Sequence, residues 1–210
     1  MKNAAVLVFP DVEELDFVGP WEMLTMWREV ANGPAEVALL AASLAPVRCS
    51  KGLSVNPSLA MVDAPQLDLL VVPGGRGTRS LQHDGQVLDF IQRQHAGGAV
   101  LVSVCTGSLL LHAAGVIAND QPLATHWGAI ALMRERGAEV SETRWVRASE
   151  RVWCSAGVSA GLDVTLAVMA DLAGEEAAGR VQHMAEYYPD GRRYGRLHAE
   201  HPQSPAYLKV

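Results

Sequence analysis

The stretch "LVSVCTGSLLLHAAG", residues 101–115, carries an apolar run into a cysteine and turns at once into a helix-like pattern. "SVCTG" (Ser103 to Gly107) has the form of a nucleophile elbow, with Cys105 where "GxSxG" hydrolases place serine. A sharp strand-to-helix turn presents the nucleophile and leaves backbone N–H groups free behind it. Those donors and the helix dipole favour negative charge, so they are expected to stabilise thiolate at Cys105 and charge developing on a substrate atom.

Two further segments end strands on the same expected edge. "VVPGGRG" (Val71 to Gly77) has adjacent glycines that let backbone approach a ligand, and beside a cysteine elbow its N–H groups become candidate oxyanion donors. "EELDFVGPWE" (Glu13 to Glu22) sets Asp16 among Leu15, Phe17 and Val18. One reading of Asp16 is a helix cap before Pro20. The other is a carboxyl whose pKa is raised by apolar surroundings and a nearby thiolate, giving an acid and base near neutrality that titrates with Cys105 as a pair.

These residues need a frame that brings three strand ends together, and the hydrophobic pattern supplies one. "AAVLVF" (4–9) is a continuous apolar run closed by Pro10, as in a strand buried on both faces. Residues 19–33 repeat apolar positions at helical spacing, with Pro20 expected at the first helical position and Asn32-Gly33 as the stop. Residues 35–43 read as a second strand, 47–59 as a hairpin turning at Lys51-Gly52, and 67–75 as a buried strand. A helix over 85–98, a strand over 99–105 and a helix over 106–115 follow. Then come a helix over 126–137, a strand pair within 139–157 and helices over 159–174 and 175–188. Alternation of this kind predicts βαβ crossovers, hence an α/β doubly wound, mostly parallel sheet with helices on both faces. Residues 1–188 form one domain in this reading, and 189–210 an irregular tail.

Composition narrows the function classes. With 210 residues and 49% apolar side chains the chain can bury one sizeable core. The balance of 17 basic against 23 acidic residues gives a net charge of -6, which disfavours nucleic acid and anionic membranes as partners. The apolar start is too short for a secretory segment, and no run spans a bilayer, so a cytoplasmic location is expected. Three cysteines without a CxxC pair, and scattered histidines, indicate neither a disulfide framework nor a metal site. Cys49 and Cys154 lie inside strand-like runs and are read as core.

Together the "PGG" strand end, the "SVCTGS" elbow and the acidic residue of "LDFVGP" resemble the ThiJ/PfpI superfamily, over about residues 4 to 188. The resemblance implies a flavodoxin-like, class I glutamine amidotransferase-like domain. "ELDFVGP", "VPGG", "SVCTGSLLLHAAG", "ATHWGA" and "SAGVSAGLD" are most similar to isonitrile hydratases and to the sensor domains of AraC-type regulators. By this resemblance Cys105 is the nucleophile, Asp16 the acid/base and Thr106 a helper beside the thiol. The backbone N–H groups of Gly75 and Thr106 are the oxyanion donors, no cofactor is needed, and a homodimer is expected. His126 and Trp127 are given structural roles, and Arg192, Arg193 and Arg196 a solvated one.

Thr106 occupies the place where protease-like and glyoxalase-like branches tend to carry histidine, which weighs against peptidase activity. The implied reaction is hydration of a small-molecule isonitrile to an N-substituted formamide. The alternative is a stand-alone small-molecule or oxidant sensor. A helix-turn-helix region is not expected after residue 188.

Overall fold

The computed structural model describes residues 1–209. Its first half holds strands β1 (Asn3–Leu7), β2 (Glu36–Ala41), β3 (Val47–Arg48), β4 (Ser54–Val55), β5 (Leu59–Ala60), β6 (Leu69–Val72) and β7 (Val100–Ser103), with helices α1 (Glu14–Ala31), α2 (Thr78–Leu81) and α3 (Gly85–Ala96). The second half holds β8 (Pro122–Leu123), β9 (Glu139–Val140), β10 (Trp145–Ser149) and β11 (Val152–Ser155), with α4 (Ser108–Ala113), α5 (Ile130–Glu135), α6 (Ala160–Ala173), α7 (Glu175–Met184) and α8 (Leu197–Glu200).

Seven strands make one sheet in the order β10-β11-β7-β6-β1-β2-β5, parallel except for β10. This is the doubly wound, mostly parallel α/β sheet that the alternating pattern predicts, in the flavodoxin-like form that the resemblance implies. The central strands β6 and β7 are buried at every residue, which explains why they read as Leu/Val runs, with only Ser103 at the end of β7 departing from them. The hairpin around Lys51-Gly52 is β3 and β4, paired antiparallel.

Strand order also places the site. The chain runs outward from β1 to β2 and β5, then returns to lay β6 on the other flank of β1. The loops after β1 and β6 therefore leave in opposite directions and open a crevice at their carboxyl ends, where open α/β sheets hold ligands. An isolated antiparallel bridge between Val12 and Gly75 ties these two loops together.

One expectation fails in an informative way. Helix α1 begins at Glu14, not at Pro20, so the proline lies inside the helix. Proline cannot donate the i to i−4 bond, and here that bond would have gone to the Asp16 carbonyl. The ring instead packs on Gly161 at the start of α6, where a β-carbon would lie 3.3 Å from Pro20 Cγ. Glu14 and Asp16 fall in the first turn of α1, where acidic groups suit the helix dipole.

Residues 189–209 are irregular apart from α8 and a 3₁₀ turn at Ala206–Leu208. They return to the body: the Ala206 N–H donates to Glu142 Oε2 at 2.9 Å, and His201 meets the Trp127 ring edge-on at 4.9 Å. Arg192, Arg193 and Arg196 are exposed. Among the described residues no helix is long and apolar enough to cross a membrane.

Candidate active site

Cys105 directly follows the β7 strand end at Ser103-Val104 and opens a 3₁₀ turn, Cys105–Gly107, that leads into α4. Its φ is +58°, in the left-handed region that only glycine enters freely. Strain of this kind, about 1–3 kcal/mol, persists only where the surroundings overdetermine the backbone. They do so here. The Cys105 N–H donates to the Ala156 carbonyl at 3.0 Å, and the Cys105 carbonyl accepts from Thr125 Oγ1 at 3.1 Å and Ser108 Oγ at 3.2 Å. A β-carbon at Gly107 would overlap the Val72 carbonyl oxygen, so the turn sits against the end of β6 only because that residue is glycine.

Asp16 is fully buried, in the first turn of α1. Its Oδ2 accepts the Gly74 N–H at 2.9 Å, while Oδ1 makes no conventional hydrogen bond. The polar side chain that the carboxyl faces is the Cys105 thiol. Burial pushes Asp16 up to about 7 against the pull of the Gly74 N–H, and the charge of Glu13 adds to the rise. The sequence reading assigned part of that rise to a thiolate. In the structure the thiol donates toward the carboxyl and so lowers its pKa.

The expected thiolate is also corrected. Burial first, and the anionic Asp16 second, push the Cys105 thiol up to about 12, over the opposing N–H groups of Val158 and Thr106. The dipole argument overstated its case because burial and the neighbouring acid outweigh the N–H groups behind the thiol. At rest the sulfur holds its proton.

Thr106 and Gly75 lock together beside the thiol. The Gly75 N–H, expected to face a substrate, donates to Thr106 Oγ1 at 3.0 Å, and Thr78 Oγ1 lies 3.2 Å from the same hydroxyl. Gly75 has φ +126°, and a β-carbon there would overlap the Asp11 carbonyl. The backbone groups that meet the sulfur are the N–H groups of Thr106 and Val158. Val158, with φ +39°, was not singled out from sequence, although it lies in the quoted "SAGVSAGLD".

The cleft over Cys105 has a volume of about 350 Å³ and is lined by Glu13, Gly75, Arg76, Arg79, Cys105, Thr106, His126 and Val158. His126 Nδ1 accepts the Gly128 N–H at 3.1 Å and so caps the next turn. Burial, and then the charge of Arg79, hold its pKa below the usual histidine value, so the ring is neutral with the proton on Nε2. Trp127 stands outside the cleft, tilted against His126 at 5.2 Å. Cys49 and Cys154 are free, buried thiols and contribute nothing to the cleft wall. Glu13, Arg76 and Arg79 were not picked out in sequence as site residues. Their signal was position alone, after β1 and β6 on the edge that carries Cys105.

Comparison with known proteins identifies relatives over most of the chain. The chain is 38% identical over 183 residues to an isonitrile hydratase from Pseudomonas putida, covering 87% of this chain and 77% of that protein. It is 31% identical over 143 residues to the HTH-type transcriptional regulator GbdR from Pseudomonas aeruginosa, covering 67% of this chain but only 38% of the regulator. A crystal structure of a ThiJ/PfpI family protein from Pseudomonas syringae superposes with a TM-score of 0.84 at 32% identity, covering all of this chain and 84% of that one. With the DJ-1/PfpI family profile matching residues 2–171, the chain belongs to the DJ-1/PfpI family.

Proposed function

We propose that this protein is a cysteine-dependent hydratase that converts an isonitrile to an N-substituted formamide. The observation that carries the reading is the buried pair of Asp16, at about 7, and the protonated Cys105 thiol, at the cleft floor of a chain similar to an isonitrile hydratase. An acid/base is most useful when its pKa lies near the working pH.

Asp16 takes the thiol proton as the sulfur closes on the terminal isonitrile carbon, and returns it to that carbon. The C–S bond forms, giving the thioimidate Cys105–S–CH=N–R. Water then adds to this carbon, Asp16 taking one water proton and passing it to the nitrogen, which becomes N–H, and then moving the hydroxyl proton of the adduct to the departing sulfur. The C–S bond breaks, the thiol is restored, and R–NH–CHO leaves. The N–H groups of Thr106 and Val158 hold charge on the sulfur while it is nucleophile and leaving group. Thr106 holds the Gly75 turn through its hydroxyl.

The similarity to a regulator favours a second reading, a small-molecule sensor. Oxidant sensing is the weaker form of it, because oxidation proceeds through thiolate and a thiol at about 12 supplies little.

The test is a time course of formamide production from cyclohexyl or benzyl isonitrile. Many turnovers, abolished in Cys105→Ala and strongly reduced in Asp16→Asn, support the hydratase. A single stoichiometric event, or binding without product, supports the sensor.

A further inference from the structure

The walls of the cleft carry a charge pattern that hydration of a neutral isonitrile does not use. Arg76 and Arg79 both line it, and neither makes an ion pair among the described residues. Of the twelve other arginines, six make ion pairs among the described residues; what sets Arg76 and Arg79 apart is that, in a chain of net charge -6, both unpaired guanidiniums line the cleft over one thiol. The nearest acid on that wall, Glu13, is taken: its carboxylate pairs with Lys51 Nζ and accepts from Ser50 Oγ at 3.1 Å. Asp16 lies beneath the floor, fully buried and turned to Gly74 and Cys105.

Arg79 is held in place. Its Nη1 donates to the Gly75 carbonyl at 3.2 Å and to Thr78 Oγ1 at 3.1 Å, which fixes the guanidinium beside the turn that carries Thr106 and leaves Nη2 and Nε for an occupant. His126 also lines the cleft, its neutral ring bearing the proton on Nε2.

We propose that the substrate of this site carries a carboxylate on its organic arm, so that it is an isocyano acid. The carboxylate is held by Arg79, with Arg76 and the His126 Nε2–H as further donors, while the terminal carbon faces Cys105. A forked guanidinium is suited to a carboxylate's two oxygens, and about 350 Å³ accommodates a small acid. The substrate assignment rests on the hydratase reading, whereas the anion subsite does not.

The test has two arms. In the first, Cys105 is alkylated with iodoacetate and with the nearly isosteric neutral iodoacetamide, followed by mass spectrometry of the Cys105 peptide. An ordinary thiol prefers the neutral reagent. The subsite predicts the reverse, by about tenfold, with saturation by iodoacetate and loss of the preference in Arg79→Gln but partial retention in Arg79→Lys. No preference for iodoacetate, or one indifferent to Arg79→Gln, overturns the proposal. In the second, kcat/KM is compared for 3-isocyanopropanoate and its methyl ester. A preference for the acid that acts mainly through KM and collapses in Arg79→Gln supports the substrate class. Equal turnover of acid and ester overturns that class and leaves the hydratase standing. An iodoacetate preference with neither isonitrile turned over leaves the subsite standing and defeats the hydratase.

Discussion

The Asp16 carboxyl accepts the Gly74 N–H at 2.9 Å and so ties the first turn of α1 to the loop after β6, while the same carboxyl faces the Cys105 thiol. One buried acid thus joins the loops that diverge at the switch in strand order and, second to the thiol's own burial, raises the pKa of Cys105. Its burial is the source of both effects.

The folded protein binds the Asp16 proton more tightly than the unfolded chain, because burial raises the carboxyl to about 7. This contribution to stability is complete below about pH 4, where unfolded carboxylates are protonated, and is lost as pH rises through 7. Asp16→Asn keeps an oxygen for Gly74 without the charge. The variant is expected to melt several degrees above wild type at pH 8, with the difference shrinking toward pH 5. At about 1.4 kcal/mol per pKa unit, the gain at pH 8 has a ceiling of roughly 4 kcal/mol. Melting curves of both proteins across this range check the slope, and a difference that widens on acidification contradicts it.

The same substitution reports on the thiol. Removing the Asp16 charge takes away one cause of the raised Cys105 pKa. Thiolate absorbance or pH-dependent alkylation is therefore expected to show Cys105 titrating below its wild-type value, while turnover falls by about 10²–10⁴-fold. A more acidic thiol with less activity separates the proton-transfer role from nucleophile activation.

Thr106→Val removes the hydroxyl that accepts the Gly75 N–H at 3.0 Å. Leaving a buried donor unpaired costs about 1–3 kcal/mol, and the Gly75 turn is expected to loosen against Cys105. Denaturant unfolding gives the stability loss. A kcat/KM reduced at least tenfold in a folded variant assigns the rest to positioning. Thr106→Ser, which restores the hydroxyl, is expected to recover most of both.

Gly107→Ala places a β-carbon against the Val72 carbonyl oxygen. The turn must shift or the strand end must give, at a cost of about 3 kcal/mol, the upper end for strained core insertions. The variant is expected to be poorly folded, whereas Ser108→Ala, which removes only one bond to the Cys105 carbonyl, is expected to lose about 1 kcal/mol. Circular dichroism and thermal melts distinguish the two.

How much of this was legible follows from which physical signals are local. The buried strands announced themselves as apolar runs at 69–72 and 100–103, and the elbow as a cysteine where such a run turns helical. The start of α1 was misplaced because Pro20 imitates a first helical residue. Its ring packs on Gly161, 141 positions away, a contact that no local pattern reveals. The thiol's pKa direction was misjudged for a related reason: spacing shows a helix N-terminus, but not that Cys105 is only 6% exposed with a buried acid beside it. Arg79 and Val158 join the site only through the meeting of loops after β6 and β11, which requires the strand order.

The elbow is gripped by its peptide, not by its sulfur. Thr125 and Ser108 hold the Cys105 carbonyl, and Ala156 receives its N–H. The scaffold therefore fixes where a side chain at this corner stands without dictating what that side chain does, and a change of wall residues or of the buried acid alters the chemistry while the mounting stays intact.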